Sequence, residues 1–230
     1  MTKNRMYKEN RKSINFFVGC RHNCLYCKPS FQRQMKRQRK RCEQCYNYEP
    51  HAHVERLDKR PPKTYGDEFI FFPSASDWAF IPQDIGDKAI EYMKKYPDRK
   101  FLCQTKNPSC FYFYNFPENA LLAITLETNK AEVAKAVSDA PLPKFRYLAF
   151  KSHAHANKIV TVEPILRFDL VILSEWIREI KPMRVYVGYD NHGCHLDEPS
   201  EFETIMLIKE LRRYGLDVRE KSIRKAWWEK

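Results

Sequence analysis

The sequence predicts an α/β fold of one domain, an incomplete parallel barrel of the (β/α)6 type, and three observations carry that reading. Six short apolar runs alternate with helix-like segments at the spacing of strand and crossover units. The runs are apolar at almost every position, as strands buried on both faces are. The 230 residues of the chain fall short of the roughly 250 that a full eightfold barrel uses.

The first run is SINFFVG at 13–19. EFIFFP at 68–73, KFLCQ at 100–104, LLAITL at 121–126, KIVTV at 158–162 and RVYVG at 184–188 follow, and DVRE at 217–220 is a candidate seventh. Helix-like segments lie at 84–96, 129–139, 169–180 and 200–215. In the last of these, Ser200 followed by Glu203 reads as a capping box and Gly215 as a stop. Residues 28–67 break the rhythm with a basic run, then CEQC, HAH and Pro61-Pro62. That stretch is longer than a plain crossover and reads as a helix plus an inserted excursion. No domain boundary stands out, so 1–230 is read as a single domain. The tail RKAWWEK either caps the barrel with Trp227 and Trp228 or stays loose.

The net charge of +12 is unevenly spread. Residues 1–65 hold 17 Lys and Arg against 5 Asp and Glu, and the remaining 165 residues hold 24 of each sign. The densest part places Arg33, Lys36, Arg37, Arg39, Lys40 and Arg41 within nine positions. Such a block is able to neutralise phosphates and bind nucleic acid, and equally describes a solvated helix face. No run of about 18 apolar residues occurs, and the start MTKNRMYKENRKS lacks the apolar core of a signal peptide. A cytoplasmic protein without membrane association is expected, and its eight cysteines point to metal or catalysis rather than to disulfides.

Each apolar run is followed by polar residues, where parallel sheets and barrels form their sites. Cys20 to Cys27 follow the first run; Ser74, Ser76 and Asp77 the second; Thr105, Lys106 and Asn107 the third; Glu127, Thr128 and Asn129 the fourth; Glu163 the fifth; and Asp190, Asn191 and His192 the sixth. Thiolates spaced as Cys20, Cys24 and Cys27 are able to converge on one soft metal centre. Zinc requires a fourth ligand, for which His22, Cys42 and Cys45 are candidates. A four-iron cluster held by three cysteines leaves one iron open to an outside ligand.

GCRHNCLYC, that is Cys-x3-Cys-x-aromatic-Cys after a first strand, resembles the signature of the radical S-adenosylmethionine (SAM) superfamily. With SxSDW, TKNP, TxE, VEP and VG at later strand ends, the chain is more closely similar to the group of bacterial, archaeal and phage proteins labelled phage Gp37/Gp68-like. The resemblance covers roughly residues 13–220. It implies a 4Fe-4S cluster on Cys20, Cys24 and Cys27, and SAM on the open iron through its amino and carboxylate groups. Reductive cleavage of SAM would give a 5′-deoxyadenosyl radical that abstracts hydrogen from a substrate, with a flavodoxin- or ferredoxin-type protein as electron donor. Tyr26 would lie beside the adenine. Where the superfamily has Gly-Gly-Glu for the methionine amine, this chain has PSASDW, so Ser74, Ser76 and Asp77 stand at that contact. Thr105, Lys106, Glu127 and Glu163 are candidates for the SAM carboxylate, the ribose hydroxyls or substrate. Asp190 and Lys106 are the catalytic candidates. Nucleic acid and peptide are the substrate classes considered.

CEQC with the following HAH gives Cys42, Cys45, His51 and His53 ligand-like spacing, for zinc or part of a second cluster. Three rival readings remain: a zinc-stabilised nucleic-acid-binding module without activity, a ferredoxin-like electron carrier, which would complete its cluster with four thiolates, and a binding protein whose cluster is only structural.

Overall fold

Alternating side chains along a strand face opposite sides of a sheet, and here both sides are apolar. In the computed structural model, which describes residues 7–230, the main sheet has seven strands, all parallel. They are β1 (Asn10–Ser13), β4 (Phe69–Phe71), β5 (Phe101–Thr105), β6 (Ala120–Thr125), β7 (Lys158–Val162), β8 (Arg184–Val187) and β9 (Val218–Glu220), adjacent in chain order. A separate antiparallel pair, β2 (Phe17–Val18) and β3 (His51–Ala52), lies between the first two. Residues 1–6, part of the stretch read as lacking an export signal, are outside the described residues.

One side of the sheet packs on helices. Ile70, Cys103, Leu122, Ile124, Val160, Val162, Val185 and Val187 share a core with Ala89, Ile90 and Met93 of α3 (Gln83–Lys95) and with Tyr147 and Phe150 of α5 (Pro143–Ser152). Leu173 and Ile177 of α6 (Leu170–Ile180) and Leu207 and Leu211 of α7 (Glu201–Arg213) join it. The other side gathers Phe69, Phe71, Leu102, Leu121, Ala123, Ile159 and Tyr186 around Tyr7. Tyr7 meets the rings of Phe69, Phe71 and Tyr186 edge-on, at 4.7 to 5.6 Å between centroids. Its hydroxyl donates to Gln104 Oε1 at 2.7 Å and lies 2.9 Å from Thr161 Oγ1, so the polar tip is satisfied inside the barrel.

Helix ends follow their local signals. Ser200 and Glu203 form the reciprocal capping box of α7, and Gly215 takes a φ of +78° beyond its end. Asp169 caps α6 by accepting from the Ile172 amide at 3.0 Å. The short α4 (Ala131–Val137) is the core of the 129–139 segment. The tail is docked: Trp227 Nε1 donates to the Leu196 carbonyl at 2.7 Å and Trp228 Nε1 to that of Glu198 at 3.0 Å.

Three features depart from the pattern of the sequence. The expected first strand at 13–19 is divided: the sheet takes Asn10–Ser13, and Phe17–Val18 pairs with His51–Ala52 instead. The chain leaves the sheet at Asn15, whose Oδ1 accepts from the Ser74 and Ala75 amides at 2.8 and 3.0 Å. β1 is an edge strand with exposed Arg11 and Lys12, a polar sequence that apolar periodicity passes over. The candidate seventh run is a true strand, so the sheet has seven strands where six were expected. Finally, α5 has no counterpart among the expected helices, because its buried face, Pro143, Arg146, Tyr147 and Phe150, contains an arginine.

The excursion at 28–67 begins with irregular helical turns through Lys28–Gln32, α1 (Arg33–Met35) and Lys36–Gln38, then α2 (Glu43–Asn47). Arg33, Lys36, Arg37, Arg39, Lys40 and Arg41 are all exposed on it. No helix among the described residues is long and apolar enough to cross a membrane.

Candidate functional site

The cysteine loop starts at Gly19, at the end of β2. A Cβ there would stand 2.3 Å from the Glu49 backbone, and φ is +98°, so the close approach of loop and excursion requires glycine. The far side of the loop is fixed on the end of α4. His22 accepts at its carbonyl from the Asp139 amide at 2.8 Å and from Ser138 Oγ at 3.1 Å, and Asn23 Nδ2 donates to Asp139 at 2.7 Å. Cys24 is buried with its Sγ 3.2 Å from Ser138 Oγ, while Cys20 and Cys27 are half-buried.

The thiols are electrostatically unequal. A hydrogen bond with Cys27 brings Cys24 down to about 5 against the effect of burial, and the same bond together with burial pushes Cys27 up. Burial, with Asp77 nearby, raises Cys20. The Lys106 ammonium favours the ionised form at all three positions.

Lys106 follows β5 and Glu127 follows β6, and these neighbouring strand ends bring their side chains together in a buried ion pair. Tyr26 donates its hydroxyl to the same Glu127 oxygen, and Lys106 Nζ reaches that hydroxyl at 2.5 Å. Arg146 of α5 donates to the second oxygen at 2.7 Å and to the Thr125 carbonyl at 3.2 Å. Burial works to raise the Glu127 carboxyl, but the two cations overcome it and hold it at about 2.

The Ser-Ala-Ser-Asp segment after β4 ties the neighbouring loops together. Asp77 accepts from Thr105 Oγ1 at 2.5 Å, from the Lys106 amide at 2.8 Å and from the Ala79 amide at 2.9 Å, and His22 Nε2 stands 3.3 Å away. Ser76 Oγ donates to the Gly19 carbonyl at 2.6 Å, and Ser74 Oγ to Asn15 at 3.1 Å. Glu163, after β7, pairs with Lys221, and burial disfavours both charges, raising the carboxyl and lowering the amine. Asp190, after β8, accepts from the amides of His192 and Cys194 at 3.1 and 2.7 Å, turning its carboxylate into its own loop.

The carboxyl ends of the strands thus bring Tyr26, Lys106 and Glu127 together beside the three cysteines, with Asp77 and Thr105 bracing the Lys106 backbone. Residues without a sequence signal complete the site. Arg146 holds Glu127, Lys221 holds Glu163, and Cys194 packs at the margin of the apolar cluster that contains Cys24, Tyr26 and Leu196. Tyr48, from the excursion, packs against the cluster of Val18, Cys45 and Ala75, and its hydroxyl is pushed up by burial and by the charges of Cys20, Cys27 and Cys24.

Cys42, Cys45, His51 and His53 form a second convergence, with one donor atom from each lying within 4.8 Å of all the others.

Neither a family model nor a curated protein sequence matches the chain. Solved structures do. A cysteine-to-serine variant of spore photoproduct lyase aligns over 96% of this chain and 80% of its own, at a TM-score of 0.64 and 14% identity. The fold resembles that of spore photoproduct lyase. A tyrosine-to-phenylalanine variant of the lyase gives a TM-score of 0.61 at 14% identity, over 90% of this chain and 75% of that one. A cysteine-to-alanine variant with dinucleoside spore photoproduct gives 0.56 at 14% identity, over 89% of this chain. This chain spans 62% of the length of that last spore photoproduct lyase structure.

Proposed function

We propose that the chain is a radical SAM enzyme acting on nucleic acid. The observation that carries the reading is the contact of Lys106 Nζ with the hydroxyl of Tyr26, which stands between Cys24 and Cys27, at the carboxyl end of a partial parallel barrel. The fold shared with spore photoproduct lyase, a radical SAM enzyme, supports it.

The donor set fits a 4Fe-4S cluster with an open iron. Three thiols and no fourth come from one loop, and a buried lysine favours their ionised form, as metal ligation requires. When bound, the cluster and SAM supply a one-electron cleavage that yields methionine and a 5′-deoxyadenosyl radical able to take hydrogen from a substrate.

The work of this chain is binding, orientation and exclusion of water. Of the three donors on the Lys106 ammonium, Tyr26 and Glu127 occupy two, which leaves one for the carboxylate of SAM. Glu127, kept charged by Lys106 and Arg146, accepts from ribose hydroxyls or from the amine. Asp77 acts through others: it holds the Lys106 backbone and Thr105, so Ser74, Ser76 and Asp77 shape the SAM contact from beneath. Glu163 with Lys221 lies at a later strand end and would face substrate, whereas Asp190 would shape the neighbouring loop through its bonds to the His192 and Cys194 amides. A flavodoxin- or ferredoxin-type protein supplies the electron.

The exposed block Arg33, Lys36, Arg37, Arg39, Lys40 and Arg41 favours a polyanionic substrate, and one lyase neighbour was solved with dinucleoside spore photoproduct. The test is anaerobic incubation of the iron-reconstituted protein with SAM and dithionite. Wild type forms 5′-deoxyadenosine and Cys24→Ala does not; adding RNA or DNA, but not peptide, raises the rate. Equal background from both proteins would contradict the reading.

A further inference from the structure

We propose that Cys42, Cys45, His51 and His53 bind one zinc ion, which fastens the basic excursion to the cysteine loop. This inference is independent of the activity proposed above.

The donor atoms are crowded at, or slightly inside, the separations set by a single small ion. His51 Nε2 lies 3.4 Å from Cys42 Sγ and 3.3 Å from Cys45 Sγ, and His53 Nε2 lies 3.1 Å from Cys45 Sγ and 2.9 Å from His51 Nε2. Bond lengths of about 2.3 Å to sulfur and 2.0 Å to nitrogen put tetrahedral donors roughly 3.3 to 3.8 Å apart. A tetrahedral pair of thiolates and pair of imidazoles is a zinc donor set. A two-iron cluster would hold the thiolates on one iron and the imidazoles on the other. Here a single imidazole nitrogen touches both sulfurs.

The outer contacts select the ligand form of each ring. His51 Nδ1 is 2.7 Å from the Glu49 carbonyl, and His53 Nδ1 is 3.1 Å from Glu55 Oε1. Both oxygens accept, so both rings carry their proton on Nδ1 and turn a lone pair inward at Nε2. Two lone pairs facing each other at 2.9 Å repel unless a cation lies between them. The Cys45 amide points at Cys42 Sγ, 3.4 Å away, a donor suited to a thiolate.

The ligands come from two separate elements in the middle of the excursion. Cys42 and Cys45 begin α2, at the end of the basic run, whereas His51 sits on β3 opposite Val18 of β2, two residues before Cys20. The His53 amide donates to the Phe16 carbonyl at 2.7 Å, and Gly19 lies against Glu49 and Pro50. One ion therefore pins α2, Tyr48 and the basic block to the segment that leads into the three cysteines.

The test uses the full chain, purified without added metal, with metal counted by mass spectrometry and cobalt exchanged for zinc. Wild type and Cys24→Ala should each hold about one zinc and, with cobalt, show the visible bands of a tetrahedral thiolate site. Cys42→Ser and His53→Ala should lose both, and His53→Cys, which keeps a zinc donor set, should retain them. Wild type without zinc and without tetrahedral cobalt bands overturns the proposal. So does zinc that survives in Cys42→Ser but is lost in Cys24→Ala. The cobalt spectrum of wild type keeps the test valid where a variant fails to fold.

Discussion

Lys106 and Glu127 form a buried ion pair across the ends of adjacent strands, and Tyr26 of the cysteine loop donates to the same carboxylate. The pair ties the barrel mouth to the loop. Arg146 adds a second cation from outside the sheet, so the carboxylate is over-compensated and one cation retains capacity for another anion.

Removing that carboxylate leaves two buried cations without their partner. Glu127→Gln is expected to destabilise the protein by about 3 to 5 kcal/mol, the cost of breaking a buried pair from one side. Urea unfolding at neutral pH measures it. A change within about 0.5 kcal/mol, the range of an ordinary surface substitution, would mean that the pair is not desolvated.

The same group sets a pH dependence. Its folded value of about 2 lies below the ordinary 4.5, so its stabilisation is complete above about 4.5 and lost as pH falls towards 2. The stability gap between wild type and Glu127→Gln should narrow across that window. A gap that stays constant from neutral pH to pH 2 would show that Glu127 is not the titrating group.

Gly19 is where loop and excursion touch. Gly19→Ala forces a Cβ against the Glu49 backbone at a positive φ, with an expected loss on the order of 3 kcal/mol from clash and strain together. Hydrogen exchange should show lost protection at Val18, β3 and α2. Unchanged protection there would disprove the close approach.

The basic block gives an ionic-strength prediction. Arg37→Gln, Arg39→Gln and Lys40→Gln combined should weaken single-stranded nucleic acid binding. The slope of log affinity against log salt should become shallower by about 2, from roughly 0.7 per phosphate contact. Fluorescence anisotropy across a salt series measures it. An unchanged slope would assign the block to solvent.

Much of this was legible in the sequence because it rests on local chemistry. Apolar runs marked the buried strands, the Ser200 and Glu203 pair marked α7, and the CEQC and HAH spacing marked residues that do converge. What stayed hidden depends on partners distant in the chain. Arg146 disguises a helix because its burial is made possible only by Glu127, and β1 is polar because it is an edge. Nothing near Tyr7 announces that it fills the sheet's inner face. The bonds of Asp77 to Thr105 and to the Ala79 and Lys106 amides are visible only once three loops are assembled.

Electron paramagnetic resonance of the dithionite-reduced, reconstituted protein decides whether Cys20, Cys24 and Cys27 hold a four-iron cluster whose remaining iron is open to SAM. Wild type should give a reduced-cluster signal that changes shape when SAM is added, and Cys24→Ala should give none. A wild-type signal that is the same with and without SAM, or one that persists in Cys24→Ala, would overturn that assignment.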